Sequence, residues 1–203
     1  MASRSPKPPA APGSDRELRA DARRNREQVL RTAQRLFAAE GLGVSLDEIA
    51  RRAGVGPGTV HRHFPSKEAL YLAVSIDQLK QLAAEGEALA ATGDPAALFT
   101  LLSRMMSSGA ENAAVKSALL AAEFDVRTAA PDVAADLTSR VADLLGRAHA
   151  VGVVRPDLTA DEVMALVAGA FAAIRHANAE SSPERSARIA RLILDGLRPR
   201  TTS

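Results

Sequence analysis

The stretch AGVGPGTVHRHFPSKEAL, residues 53–70, interrupts a chain whose other segments have the periodicity of helices, and it holds three glycines and two prolines. Gly54 is expected to end one short helix in the left-handed conformation. Gly56-Pro57 begins a second, because proline is favoured at the first helical position. Pro65 disfavours helical geometry at Phe64, so this second helix lasts only about two turns. Two short helices joined by a tight turn predict a helix-turn-helix.

The flanking segments predict further helices. One spans 16–40, a capping box of Ser45 and Glu48 begins the first short helix, and Ser66 caps a helix that runs from 67 to about 91. Apolar periodicity continues over roughly 95–108, 113–124, 132–151, 160–178 and 183–196. A second capping box, Thr159 with Glu162, begins the penultimate helix. Neither strand alternation nor an internal repeat is found, so we predict an all-α protein of about nine helices.

The composition excludes several classes of protein. Hydrophobic residues make up 46% of the 203 residues and aromatic residues only 3%, which suits packed helices. The absence of cysteine excludes disulfides, thiolate metal sites and cysteine nucleophiles. The longest uncharged apolar run, 163–174, is too short to span a bilayer, and the first residues lack the apolar region of a signal peptide. We therefore expect a cytoplasmic protein without a membrane partner.

The charge is unevenly spread along the chain. Residues 1–67 hold thirteen Lys and Arg against seven Asp and Glu, a formal +6, whereas residues 68–203 hold thirteen against seventeen, a formal −4. A basic front half is typical of a segment that meets a polyanion. A solvated charged surface would give the same numbers.

Patterns that would indicate an enzyme, a cofactor site or a metal site are not found. His61 and His63 are two positions apart, so on a helix they point in different directions and cannot chelate one metal ion. His149 and His176 are isolated. The segment GVGPGT lacks both the preceding strand and the Lys-Ser/Thr ending of a nucleotide-binding loop. We expect no enzyme activity, no cofactor and no metal.

The second short helix carries side chains suited to DNA. Val60 and Phe64 are four positions apart and are expected to face inward as anchors. Gly58 costs roughly 1 kcal/mol relative to alanine within a helix, and it permits close approach to another surface. The remaining side chains can bond phosphate oxygens or base edges, namely Thr59, His61, Arg62 and His63. A helical hairpin with a glycine turn and no DNA function is the alternative.

The order of residues resembles the N-terminal domain of the tetracycline-repressor (TetR) family. The resemblance covers about 22–82 and includes LRTAQRLFAAEG, LDEIARRAGV, GTVHRHF and SKEAL in unbroken register. It implies a DNA-binding domain over 15–82 with its helix-turn-helix at about 45–64, and a ligand-binding and dimerisation domain over 83–203. The residues before them, 1–14, are rich in Pro, Ala and Ser, and this composition predicts a flexible tail.

The resemblance also implies the residues that contact DNA. Base contacts fall on Pro57, Gly58, Thr59 and His61, and phosphate contacts on Ser45, His63 and Lys67. Arg26 adds electrostatic attraction, and Val60 is included in the DNA-binding set with its helix. His61 stands where the family most often has tyrosine. Since Pro57 and Gly58 supply no long hydrogen-bonding side chain, shape and phosphate contacts are expected to carry much of the selectivity.

The C-terminal half resembles the family only in layout, a helical bundle whose last two helices are long. The penultimate helix is apolar nearly all round, with small residues on one side, which favours a two-fold dimer over a core within one chain. We expect the dimer interface to contain Leu166, Ala170, Ile174, Ile189, Ile193 and Leu197. Such a dimer carries two helix-turn-helix domains, and these require an inverted-repeat (palindromic) operator in double-stranded DNA.

The family also implies a small-molecule effector in the C-terminal bundle. Expected lining residues, each with an alternative role as plain core, are Leu98, Leu102, Met105, Met106, Leu119, Phe124, Met164, Phe171 and His176. The predicted function is that of a sequence-specific repressor released by this ligand. The alternative is a DNA-organising protein that uses the same helix-turn-helix without induction.

Overall fold

The computed structural model describes residues 12–177 and 183–199, and these ranges contain ten helices and no strand. Side chains are described for all of these residues except 12–15, 110, 174–177 and 183. The helices are α1 Pro12–Glu40, α2 Leu46–Ala53, α3 Pro57–His63, α4 Lys67–Thr92, α5 Ala97–Glu111, α6 Ala113–Ala121, α7 Val126–Ala129, α8 Pro131–Ala150, α9 Ala160–Ala177 and α10 Pro183–Gly196. The predicted all-α class is confirmed.

The interruptions around α2 and α3 form as the sequence predicts. Gly54 ends α2 with φ +67°, and its N–H and that of Val55 bond the carbonyls of the last turn of α2. Gly56 caps α3, and Pro57 is its first residue. The backbone of Phe64 is not helical, with φ −136° and ψ 88°, because Pro65 follows it.

The two predicted capping boxes differ in outcome. At the start of α9 both hydrogen bonds form, since Thr159 N–H donates to Glu162 Oε2 at 2.8 Å and Glu162 N–H donates to Thr159 Oγ1 at 3.3 Å. At the start of α2 only one forms, in which Glu48 N–H donates to Ser45 Oγ at 3.1 Å. The Glu48 carboxylate bonds Arg51 and Arg52 instead, because guanidinium groups one turn away are stronger donors than a backbone N–H.

Three boundaries differ from prediction. Helix α1 begins at Pro12 rather than residue 16, so residues 12–14 are helical and not part of a flexible tail; the rest of that predicted tail, residues 1–11, lies outside the described chain. Helices α5 and α6 are separated only at Asn112. Helix α6 ends at Ala121, and a single turn, α7, follows under an Asp125 cap, which explains ten helices instead of nine.

The apolar side chains form two cores. The N-terminal core joins α1, α2, α3 and the start of α4, and it also receives Val115 and Leu119 from α6. The C-terminal core joins the second half of α4 with α5, α8, α9 and α10. Helices α4 and α6 therefore link the two parts of the chain. Within the described ranges, no helix is long and apolar enough to cross a membrane.

Candidate DNA interface and effector region

Helix α3 rests on the N-terminal core through two buried side chains. Val60 is 0% exposed and Phe64 is 2% exposed, as their spacing predicts. The guanidinium of Arg26 lies 5.6 Å from the Phe64 ring centroid, so a cation–π contact brings the predicted DNA-binding residue Arg26 to the end of α3. Including Val60 among the DNA-contacting side chains is wrong, because a fully buried side chain reaches no ligand. Its role is to anchor the helix.

The other predicted contacts of α3 remain accessible. Pro57, Gly58, His61 and His63 are exposed, and Thr59 is half-buried. A Cβ placed on Gly58 would meet no atom within 4 Å, so packing within the protein does not require glycine there. The missing side chain leaves the first turn of α3 open to another surface.

Two residues at the predicted phosphate positions lie near the loop between α1 and α2. Ser45 Oγ accepts the Glu48 N–H, and its own hydroxyl hydrogen is not used in the hydrogen bonds described for this residue. Lys67 is half-buried, and its Nζ donates to the carbonyls of Leu42 at 3.2 Å and Gly43 at 3.4 Å. Since an ammonium has three donors, one remains for a phosphate. Lys67 therefore both holds this loop and places a positive charge beside it.

A network of ion pairs that sequence reasoning missed fixes α2 against α1. Arg52 bonds Glu48 on its own helix and Glu40 at the end of α1, and Arg51 bonds Glu48. Hydrogen bonds from Arg51 and then Arg52 lower the pKa of Glu48 to about 2. Arg51 and Arg52 lie three and four positions after Glu48, so helical spacing could have indicated these two pairs. Glu40 is twelve positions from Arg52, and no local spacing indicates that pair.

A second missed contact ties α3 to α2. His61 Nε2 lies 2.9 Å from Asp47 Oδ1, and both side chains are exposed. Asp47 belongs to the first turn of α2, fourteen positions before His61. No local spacing indicates this pair, because it depends on how the two helices cross.

The predicted effector-pocket residues divide into several environments. Leu98, Leu102, Met105 and Met106 are buried in the C-terminal core, and Met164 and Phe171 pack partly buried against it. Two others lie outside this core: Leu119 is buried in the N-terminal core, and Phe124 is 43% exposed in the turn after α6. Helix α6 ends three residues before Phe124, so the residue leaves the helical face that would have turned it inward. The side chain of His176 lies outside the described residues.

Helix α6 also presents a lysine to α9. Lys116 Nζ lies 3.7 Å from the ring centroid of Phe171, and the ring lies against Gly109, where a Cβ would not fit. One turn earlier, Asn112 is 3% exposed; its Nδ2 donates to Ser108 O at 3.0 Å, while its Oδ1 has no partner. Burial lowers the pKa of Lys116 to about 8. Polar groups thus lie where α5, α6 and α9 meet, beside the apolar residues predicted for the pocket.

This lysine yields a prediction about stability. Between pH 8 and 10.5, folded Lys116 releases its proton while the unfolded chain keeps it, so the unfolded state binds more protons and the free energy of unfolding rises with pH. Lys116→Met should raise stability at pH 7 by roughly 1 kcal/mol, since the desolvation cost exceeds the lost cation–π contact. Urea denaturation across this pH range tests it. Lys80→Met, at an exposed position on α4, should keep the wild-type rise, and an equal change in both variants would contradict the prediction.

An open groove of about 300 Å³ lies between α4 and α8. It is lined by Lys80, Ala84, Glu87, Asp132, Val133 and Asp136. None of these residues belongs to the predicted effector set, and most are exposed and charged.

The predicted dimer residues face in different directions. Leu166 is 42% exposed, and Ile189 and Ile193 are half-buried. Ala170 and Leu197 are wrong as interface residues, because their side chains are buried in the C-terminal core of the same chain. The side chain of Ile174 lies outside the described residues. Among the described side chains of α10, the exposed large hydrophobic one is Leu192, at 62%. The small residues Gly169, Ala172 and Ala173 are exposed on α9 beside Leu166.

Family models of known proteins match both parts of this chain. Residues 29–74 match the model of bacterial regulatory proteins of the tetR family, and residues 94–199 match that of the SbtR-like transcriptional regulator C-terminal domain. An HTH-type transcriptional regulator of Staphylococcus aureus (strain USA300) is 41% identical over 54 residues, which are 26% of this chain and 29% of that protein's length. The curated relatives are therefore matched over less than a third of their length.

Solved structures match over most of the chain. The TetR transcription regulatory protein from Mycobacterium vanbaalenii is 41% identical, with a TM-score of 0.70 and coverage of 90% of this chain and 99% of that one. A TetR transcriptional regulator from Streptomyces coelicolor is 32% identical, with a TM-score of 0.66 and coverage of 87% and 99%. With its helix-turn-helix and the similarity of both halves to this group, the chain belongs to the TetR family of transcriptional regulators.

Proposed function

We propose that this protein is a repressor that binds an inverted-repeat operator as a homodimer and leaves it when a small molecule binds among the C-terminal helices. The observation that supports this most directly is α3 itself, whose Val60 and Phe64 are buried while Thr59, His61 and His63 remain available to DNA. In a helix-turn-helix the second helix enters the major groove. A bacterial regulator of this kind acts in the cytoplasm.

Fluorescence anisotropy with a duplex from the protein's own promoter region tests the DNA-binding half of the proposal. At 150 mM salt the operator duplex should bind at least tenfold more tightly than a scrambled duplex of equal length. Affinity should fall steeply with salt for both, because phosphate contacts release counterions. Binding that follows salt alone and ignores sequence would favour the alternative, a DNA-organising protein without induction.

Release by an effector is supported by the position of α6. Val115 and Leu119 are buried in the N-terminal core, whereas Lys116 of the same helix contacts Phe171 of α9. A ligand that shifts α6 against α9 would therefore disturb the packing of the N-terminal core that holds the helix-turn-helix. Allostery requires such a coupling between two sites. One solved structure with 26% identity and a TM-score of 0.53, Thermus thermophilus FadR, is a TetR family transcriptional repressor in complex with lauroyl-CoA.

The effector experiment combines two measurements on the same compounds. Small organic carboxylates are tested first, because Lys116 places a positive charge beside the Phe171 ring. A true effector should raise the melting temperature and weaken the operator complex. At a hundredfold excess over Kd, it should raise the free energy of unfolding by about 2.7 kcal/mol. Compounds that stabilise the protein without changing its affinity for the duplex would count against release by a ligand.

The homodimer is expected to use the exposed apolar residues of α9 and α10. Leu166→Glu with Leu192→Glu should convert a particle of twice 21.3 kDa into one of 21.3 kDa, because each carboxylate would be buried unpaired in the interface. Light scattering after size exclusion measures the mass. Leu120→Glu is the matched control, since Leu120 on α6 is 61% exposed, close to the 62% of Leu192. A monomeric wild type, or dissociation by Leu120→Glu as well, would contradict this interface.

A further inference from the structure

The DNA-facing surface holds a carboxylate where phosphates are expected. Asp47 lies in the first turn of α2, two residues after Ser45, and its side chain is 70% exposed. A free carboxylate at such a place repels DNA. The neighbouring Glu48 is neutralised by Arg51 and Arg52, whereas the contact described for Asp47 is a hydrogen bond with the His61 imidazole.

The contact with His61 determines where the imidazole carries its proton. An ionised carboxylate accepts hydrogen bonds and donates none, so the 2.9 Å contact requires a hydrogen on His61 Nε2. Nδ1 is then the nitrogen left for another partner. In the neutral ring Nδ1 is an acceptor, and without Asp47 either nitrogen could be the donor.

The four bases differ in what they offer to an acceptor in the major groove. Adenine presents the N6 amino group and cytosine the N4 amino group as donors, whereas guanine presents N7 and O6 and thymine presents O4 as acceptors. A ring whose free nitrogen is an acceptor therefore bonds adenine or cytosine on the strand it faces, and it opposes guanine or thymine there.

We propose that Asp47 is a specificity-determining residue of the DNA interface, a positioning residue that holds the proton of His61 on Nε2 so that Nδ1 selects the amino group of adenine or cytosine. The proposal rests on the proposed function, because it requires α3 to enter the major groove with His61 against a base edge. It adds a role for a residue of α2 that does not itself reach a base.

A purely structural role for Asp47 is the competing explanation, because an acidic side chain in the first turn favours a helix. Asp47→Asn separates the two roles. The amide keeps the size and can accept the Nε2–H, but its NH₂ can also donate to an unprotonated Nε2, so both forms of His61 become available. Asp132→Asn is the matched control, since Asp132 is an exposed first-turn acid of α8 in the C-terminal part of the chain.

The first test reads the proton directly and needs no DNA. Two-bond ¹H–¹⁵N correlation spectra at pH 8, above the ordinary titration range of histidine, distinguish protonated from unprotonated ring nitrogens. The wild type and Asp132→Asn should show His61 with its hydrogen on Nε2, and Asp47→Asn should show a mixture of both forms. A mixture already in the wild type would overturn the proposal, whatever becomes of DNA binding.

The second test reads base preference. Duplexes are selected from a randomised pool at pH 8 by the wild type, His61→Ala, Asp47→Asn and Asp132→Asn. One position should prefer adenine or cytosine by about fivefold, the effect of roughly one hydrogen bond. This preference should disappear in His61→Ala, extend to guanine or thymine in Asp47→Asn, and persist in Asp132→Asn.

The outcomes separate the inference from the function on which it rests. If Asp47→Asn changes affinity equally for all sequences and leaves the preferred bases unchanged, Asp47 acts by charge alone and the inference fails while the repressor stands. If His61→Ala leaves every base preference intact, the inference also fails while the proposed repressor function stands. If the wild type selects no sequence at all, the proposed function fails first.

Discussion

Replacing Phe64 with alanine should lower the free energy of unfolding of the DNA-binding part by about 3–5 kcal/mol, the range for removal of a large buried ring. Phe64 is 2% exposed and belongs to the N-terminal core together with Val60, so its loss leaves a cavity beneath α3. It also removes the ring over which the Arg26 guanidinium lies. DNA binding should fall with stability, since α3 then lacks its anchor.

Urea denaturation followed by far-ultraviolet circular dichroism measures this effect, and Phe124→Ala is the matched control. Phe124 is 43% exposed, so removing its ring should change the free energy of unfolding by less than about 1 kcal/mol. Equal losses in the two variants would show that burial of Phe64 is not what stabilises the DNA-binding part.

The helix-turn-helix could be predicted almost residue by residue because its determinants are local. Position 54 has a positive φ, which favours glycine. Pro57 fits the first helical position, and Pro65 ends α3 through its effect on Phe64. Each of these acts on its own backbone or on that of an immediate neighbour. Such effects hold whatever the rest of the molecule does, so sequence reasoning reached them.

The direction of side chains in the C-terminal helices could be predicted only in part. Helical spacing groups Ile193 with Leu197, and we expected that face to meet a second chain. In the structure it packs against α5 and α9 of the same chain, and Leu192 is exposed instead. An apolar stripe indicates burial but not the partner, since a core and an interface have the same composition along one helix.

Contacts between helices were the least accessible to sequence reasoning. Asp47 and His61 are fourteen positions apart, and Leu119 of α6 joins the N-terminal core although α6 follows the start of the C-terminal family domain at residue 94. Both depend on crossing geometry that no short-range spacing encodes. The candidate site thus combines locally determined helices with contacts that only the assembled fold reveals.

Replacing Thr59 and His61 together with alanine should reduce the preference for the operator over a scrambled duplex by roughly 10²-fold, if each side chain contributes about 1–2 kcal/mol of base discrimination. The helix itself should persist, because alanine has a higher helix propensity than either residue and the anchors Val60 and Phe64 are unchanged. Affinity for the scrambled duplex and its salt dependence should change little, since the phosphate contacts lie elsewhere.

Arg26→Ala is the contrasting variant in the same anisotropy measurement. Arg26 is exposed beside the end of α3, where a guanidinium attracts phosphate without reading a base. Its removal should weaken operator and scrambled duplexes alike and reduce the slope of log K against log salt by about one. If the double alanine variant behaved as Arg26→Ala is expected to behave, the reading of sequence would have to lie outside Thr59 and His61, in the shape of the DNA that the exposed first turn of α3 approaches.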